Sequence, residues 1–148
     1  MKDCGDCALC CKLIEVKPLN KPADTWCQHC TKHSCRIWSE RPEICKTYDC
    51  LWRTTPEMPE ELRPSHCKVA FECHEPEKVA IAHVDKDRPE GWRKKPVIGV
   101  ITKLLREKWT VWVMIGKDRH LLLPEGKKPE EAMKVTRAAH DRVMHGSA

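Results

Sequence analysis

Cys4-Gly5-Asp6-Cys7-Ala8-Leu9-Cys10-Cys11 places four of the chain's 11 cysteines within eight residues. Nine of the 11 lie between Cys4 and Cys50, and only Cys67 and Cys73 follow. The chain has 148 residues, so one domain or two very small ones fit its length. Aromatic residues make up 5% and prolines number 11, so material for a packed core is thin before residue 56. A segment so poor in large side chains needs cross-links to hold a shape. No stretch approaches the roughly 18 apolar residues of a membrane span. Met1-Lys2-Asp3 opens no signal-like apolar run, which points to the cytosol. Thiols stay reduced there, so dense cysteine predicts metal rather than disulfides. The odd count agrees, since a disulfide framework would leave one thiol over.

Soft thiolates select zinc or iron–sulfur clusters over hard cations. Tetrahedral sites often draw two ligands from a C-x-x-C turn, and Cys4–Cys7 and Cys27–Cys30 both have that spacing. On a helix, positions 4, 7, 10 and 11 would share an arc of about 120° but spread over about 10 Å of axis. That is long for one zinc. The opening run therefore shares its thiols between two sites or wraps a larger cluster, with further ligands downstream.

Downstream, Ser39 is the expected N-cap of a helix whose first turn holds Glu40, Arg41 and Pro42 and which carries Cys45. Cys50 falls near or beyond its end, and Cys35 precedes it in a turn or short strand. Ile37, Trp38, Ile44, Tyr48 and Trp52 are expected to form an apolar collar shielding the thiolates. Arg41 is expected to cap carbonyls or to offset thiolate charge.

Cys4-x-x-Cys7-x-x-Cys10-Cys11, followed by Cys35-x-Ile37-Trp38-x-x-Arg41-Pro42-x-x-Cys45 and Cys50, resembles the CxxCxxCC family, described as a zinc- or iron-chelating domain. The resemblance covers about residues 1–55. It implies eight metal ligands: Cys4, Cys7, Cys10, Cys11, Cys27, Cys35, Cys45 and Cys50. Cys30, His29 and His33 stand second to them. Trp38 replaces the tyrosine usual in that family, and Cys30 is additional to its pattern. A similar signature in flagellin lysine methylases implies an iron–sulfur option. The chain shows no cofactor motif for methyl transfer, so that activity is not carried over.

The linker Thr54–Pro64, with Pro56, Pro59 and Pro64, suggests a division into a cysteine-rich metal-binding module, 1–55, and an α+β part, 56–148, packed against it. The second part reads as a small antiparallel sheet with helices. Cys67–His74 alternates as a strand, placing Cys67, Val69, Phe71 and Cys73 on one face. Lys78–Val84 is its expected partner. Val97, Ile98, Val100, Ile101, Leu104 and Leu105 have helical spacing behind Pro96. Trp109–Ile115 alternates again, and Gly116-Lys117-Asp118 is a hairpin loop into His120–Leu123. A last helix opens at Pro129 with Met133, Thr136, His140 and Val143 on its stripe. Cys67 and Cys73 are expected to pack as small apolar groups. His66, His74, His83, His120, His140 and His145 show no ligand-like grouping with carboxylates.

The expected cofactor is zinc, in two sites, or an iron–sulfur cluster. The formal charge is +5, and two tetrathiolate zinc sites at about −2 each reduce it to about +1. Binding of nucleic acid through bulk charge is then disfavoured. The expected partners are metal ions and a protein docked on the module, with no membrane. No nucleophile–base pair or phosphate-binding glycine loop stands out, so no catalytic residue is assigned. The leading reading is a structural or regulatory metal site. The alternative is an iron–sulfur redox or enzyme component, and a nucleic-acid-binding zinc module ranks last.

Overall fold

The computed structural model describes residues 1–145, so the last three positions of the expected 56–148 part lie outside the described residues. Cys4–Cys7 forms a turn, with Cys7 N–H donating to the Cys4 carbonyl at 2.9 Å. The first helical turn is α1 (Cys10–Leu13), so the opening run is not one continuous helix. Short helices α2 (Glu43–Thr47), α3 (Leu51–Thr54) and α4 (Pro64–Cys67) follow. Ser39 does not cap α2. It lies in a separate 3₁₀ turn over Trp38–Glu40, and Pro42, lacking an N–H, takes the cap position instead.

Strands β1 (Val69–His74), β2 (Val79–Val84), β3 (Thr110–Ile115) and β4 (Asp118–Leu122) form one sheet in that order. The fold is α+β, as the patterning predicts. The outer pairings are antiparallel, but β2 and β3 run parallel. The reason is α5 (Val97–Arg106), which carries the chain back across the sheet between them. The β3–β4 hairpin closes on a two-residue loop, Gly116-Lys117, with Gly116 at φ +57°.

One sheet face carries Val69, Phe71, Ala80, Ala82, Val84, Val111 and Val113, packed against Val97, Ile101 and Leu104 of α5 and against Trp92 and Trp109. Trp52 and Leu62 join this core, so Trp52 belongs to the sheet rather than to a collar around the cysteines. Cys73 packs there from β1. Cys67 packs there too, but from the end of α4, because Lys68 at φ +63° breaks the chain before β1 begins.

The opposite face is covered in two places. Leu9 and Leu13 pack on Ala70 of β1, with Ile14 and Cys50 beside them. The cysteine-rich segment thus wraps the edge strand, with Trp52 on one face and α1 on the other, which masks an exposed edge. Helix α6 (Pro129–Met144) covers the rest, and Trp112 Nε1 donates to Thr136 Oγ1 at 2.9 Å. Its buried residues are Ala132 and Ala139, whereas Met133 and Val143 of the expected stripe are exposed. Small residues let this helix approach the sheet closely. Among the described residues, no helix is long and apolar enough to cross a membrane.

Candidate functional site

All 11 cysteines are free thiols. Five of them, Cys10, Cys11, Cys27, Cys35 and Cys45, line one cavity of about 100 Å³. Backbone hydrogen bonds set them there. Cys27 N–H donates to the Cys11 carbonyl at 3.1 Å, and an antiparallel backbone β-bridge between residues Cys30 and Cys35 folds the intervening loop. Helix α2 delivers Cys45. Cys30 N–H donates to Cys27 O at 3.0 Å, and His29 N–H points at Cys27 Sγ at 3.4 Å. Ile37, Trp38, Ile44 and Tyr48 line the same cavity, so four of the five expected collar residues are in place. Trp38 and Ile44 stay open to solvent on the outer side, at 63% and 42% exposure.

The other three expected ligands form a separate neighbourhood. The Cys4–Cys7 turn is clamped by Lys2 N–H donating to Arg53 O at 2.9 Å and by Arg63, which binds Cys4 O and holds Asp6 at 2.8 Å. Gly5 is required here, since its φ is +56° and an added Cβ would lie 2.9 Å from Arg63 Nη2. Cys50 caps the start of α3 beside this turn. Burial raises its thiol, the backbone N–H of Arg53 opposes that, and the thiols of Cys4 and Cys7 add to it. The eight expected ligands thus divide five and three.

Of the secondary candidates, Cys30 meets Cys11 but does not line the cavity. His33 is exposed, and His29 is half-buried with its ring beside Gln28 and does not line the cavity.

Two of the cavity thiols, Cys11 and Cys45, are shifted toward the protonated form. A hydrogen bond with Cys10 and then burial push the Cys11 thiol far up. Burial raises Cys45, and the nearby thiols of Cys11, Cys27 and Cys35 raise it further. A metal entering here must displace protons as it binds. Lys21 is the opposite charge. Its buried ammonium donates to Lys12 O at 2.9 Å and Pro22 O at 2.8 Å, and burial lowers its pKa while the thiols of Cys27 and Cys11 oppose that shift. Arg41 stacks 3.6 Å over the Trp38 ring and donates from Nη1 to Trp38 O at 2.5 Å, the carbonyl-capping role expected of it. The sequence gives no signal for Lys21, because nothing local marks a lysine whose stem is buried.

Among the described residues, no three His, Cys, Asp or Glu side chains converge as a ligand set. The donor chemistry nevertheless fits a thiophilic ion. Five soft donors share a wall with one guanidinium and one ammonium, and Arg41 Nε and Tyr48 Oη are buried there without hydrogen-bond partners. Leaving such a donor unpaired costs roughly 1–3 kcal/mol, which an anionic occupant would offset. Burial, then the charges of Glu72, Cys10, Cys50 and Cys73, hold the Tyr48 hydroxyl well above its ordinary range, so it keeps its proton to donate.

Behind Tyr48 lies a grouping the sequence did not reveal. Glu72 accepts at both carboxylate oxygens, from His74 Nε2 and His83 Nε2, each at 2.9 Å. His74 and His83 thus hydrogen-bond a carboxylate, but the three side chains do not form a ligand set. The register brings His83 of β2 diagonally across from Glu72, onto the same face as His74.

No family model, curated protein or solved structure matches the chain.

Proposed function

We propose that this protein binds a thiophilic metal, zinc or iron, through its N-terminal cysteines, and that the centre is structural or regulatory. The resemblance to the CxxCxxCC family supports this reading. The observation that carries it is that Cys10, Cys11, Cys27, Cys35 and Cys45 all line one cavity, with none of them in a disulfide. Binding requires the thiols to turn from their present rotamers into a common coordination shell, a change open to side chains with a single χ angle. The exposed Trp38 and Ile44 at the rim are the surface a protein partner would meet.

A second reading, an iron–sulfur redox or enzyme component, is favoured by the cavity's volume. About 100 Å³ is several times the roughly 10–15 Å³ that one water needs, which suits a polynuclear group better than a single ion.

Purification under reducing, oxygen-free conditions, with metal and acid-labile sulfide analysis, tests both readings. Stoichiometric zinc or iron without sulfide supports the first. Iron with sulfide, and visible absorption that bleaches on reduction, supports the second. A folded, metal-free protein with all thiols titratable overturns both.

A further inference from the structure

Two hydrogen-bond donors in the wall of the cysteine cavity have no acceptor. Arg41 Nε and Tyr48 Oη are both shut away from solvent, and both side chains line the cavity with the five thiols. Buried N–H and O–H groups are paired in nearly all native proteins, so an orphan needs a physical reason. Arg41 cannot easily turn elsewhere. Its Nη1 is committed to the Trp38 carbonyl and its plane to the Trp38 ring. Tyr48 is fixed at the end of α2 by its own N–H, which donates to Ile44 O at 3.0 Å. Among the described residues, the two other buried orphans have charge partners. Asp24 Oδ1 lies 3.9 Å from Lys12 Nζ, and Arg63 spends its outer nitrogens on Asp6, Glu60 and the Cys4 carbonyl. The side-chain acceptors in the lining of the cavity are the five sulfurs, and Tyr48 also borders the neighbouring cleft that holds Glu72.

We propose that Arg41 Nε–H and Tyr48 O–H are hydrogen-bond donors to cysteine sulfur in the metal-loaded protein, positioning and tuning a thiolate centre that neither residue ligates. The inference rests on the metal-binding reading above. A protonated thiol is a weak acceptor, whereas a metal-bound thiolate carries charge and accepts well. The two donors therefore gain their partners only when metal is bound, and their contribution falls on affinity rather than on the stability of the metal-free chain. Lys21, also in the lining, completes the arrangement. With Arg41 it sets two positive charges against the about −2 of a tetrathiolate zinc. Groups placed this way around a metal commonly shift its affinity by about 10–100-fold.

The intact chain, reduced and metal-free, is titrated anaerobically with Co²⁺, and the thiolate-to-cobalt charge-transfer absorption is followed. Tyr48→Phe removes one oxygen, and Arg41→Lys keeps the charge while removing Nε. Each variant is expected to bind Co²⁺ about 10–100-fold more weakly. The charge-transfer band is expected at longer wavelength, because a sulfur without its hydrogen bond gives up charge more easily. The metal-free variants are expected to melt at or above the wild type, since a donor without a partner is removed, a result that a merely structural role would not give. Wild-type affinity and band position in both variants overturn the assignment, as does a loss of metal-free stability that matches the loss of affinity. A wild-type chain with no charge-transfer band overturns the metal-binding reading and this assignment together.

Discussion

Lys12 Nζ lies 2.5 Å from Asp85 Oδ1, and both side chains are buried. This contact joins α1, next to the paired cysteines, to the loop after β2. Asp24, also buried, stands 3.9 Å from the same ammonium and accepts from Lys86 N–H at 2.9 Å. Burial alone would lower the Lys12 pKa, and the bonds from Asp85 and Asp87 reverse that shift. Replacing Lys12 by Met leaves two buried carboxylates without their cation. The expected loss is about 3–5 kcal/mol, read from urea denaturation. Asp87→Asn, at the exposed end of the network, is expected to cost far less, because solvent screens that contact. Equal effects from the two substitutions would show that burial does not govern this network.

Glu72 predicts an acid limb. Burial alone would raise its carboxyl, but hydrogen bonds from His74 and His83 outweigh burial and lower the pKa from 4.5 to about 2. The unfolded chain therefore binds more protons between those values. The contribution is complete above pH 4.5 and disappears as the pH falls through about 2. The shift corresponds to about 2–3 kcal/mol once partial exposure is allowed for. Glu72→Gln is expected to flatten the stability curve between pH 4.5 and 2, measured by denaturation at each pH. A variant curve parallel to the wild type would remove Glu72 from the account.

Cys73 is expected to be the slow thiol. Burial, then the charges of Glu72 and Glu75, push it up to about 12. At pH 8 its thiolate fraction is about 10⁻⁴, and alkylation follows the thiolate. Mass-spectrometric mapping after limited iodoacetamide treatment of the metal-free protein is expected to find Cys10, which is exposed, modified well before Cys73. Early labelling of Cys73 would mean that β1 opens readily.

The strands and the two long helices were legible because alternation and 3.6-residue periodicity report burial directly. The parallel β2–β3 pairing was not, since a strand's pattern does not encode its partner's direction. The inner face of α6 departs from the apolar pattern because large apolar residues mark a buried stripe only where space allows them, and here Ala132 and Ala139 fit against the sheet. At the candidate site, cysteine spacing marked the segment that lines the cavity but not the division between Cys4–Cys7–Cys50 and the cavity. That division depends on Arg53 and Arg63 clamping the first turn. Lys21, Tyr48 and the Glu72 grouping are tertiary effects. Each is a polar residue whose burial is decided by chain segments far from it in sequence.

Cys27 and Cys30 share one turn, yet only Cys27 lines the cavity. Serine is a poor ligand for a soft ion, so Cys27→Ser and Cys45→Ser are expected to lose bound metal. Cys30→Ser and Cys73→Ser are expected to keep wild-type content by elemental analysis. A structural zinc contributes roughly 10–16 kcal/mol of apparent binding free energy in small peptides, against about 5–15 kcal/mol for the stability of a whole domain. Metal loss should therefore release the cysteine-rich segment while the β-sheet core around Val111 and Val113 persists. Hydrogen exchange on the two metal-poor variants is expected to show lost protection at Cys27 N–H and Thr25 N–H and retained protection along β2 and β3. Wild-type metal content in Cys27→Ser and Cys45→Ser would place the centre elsewhere. An equal loss in Cys30→Ser would assign the ligand to both cysteines of the turn.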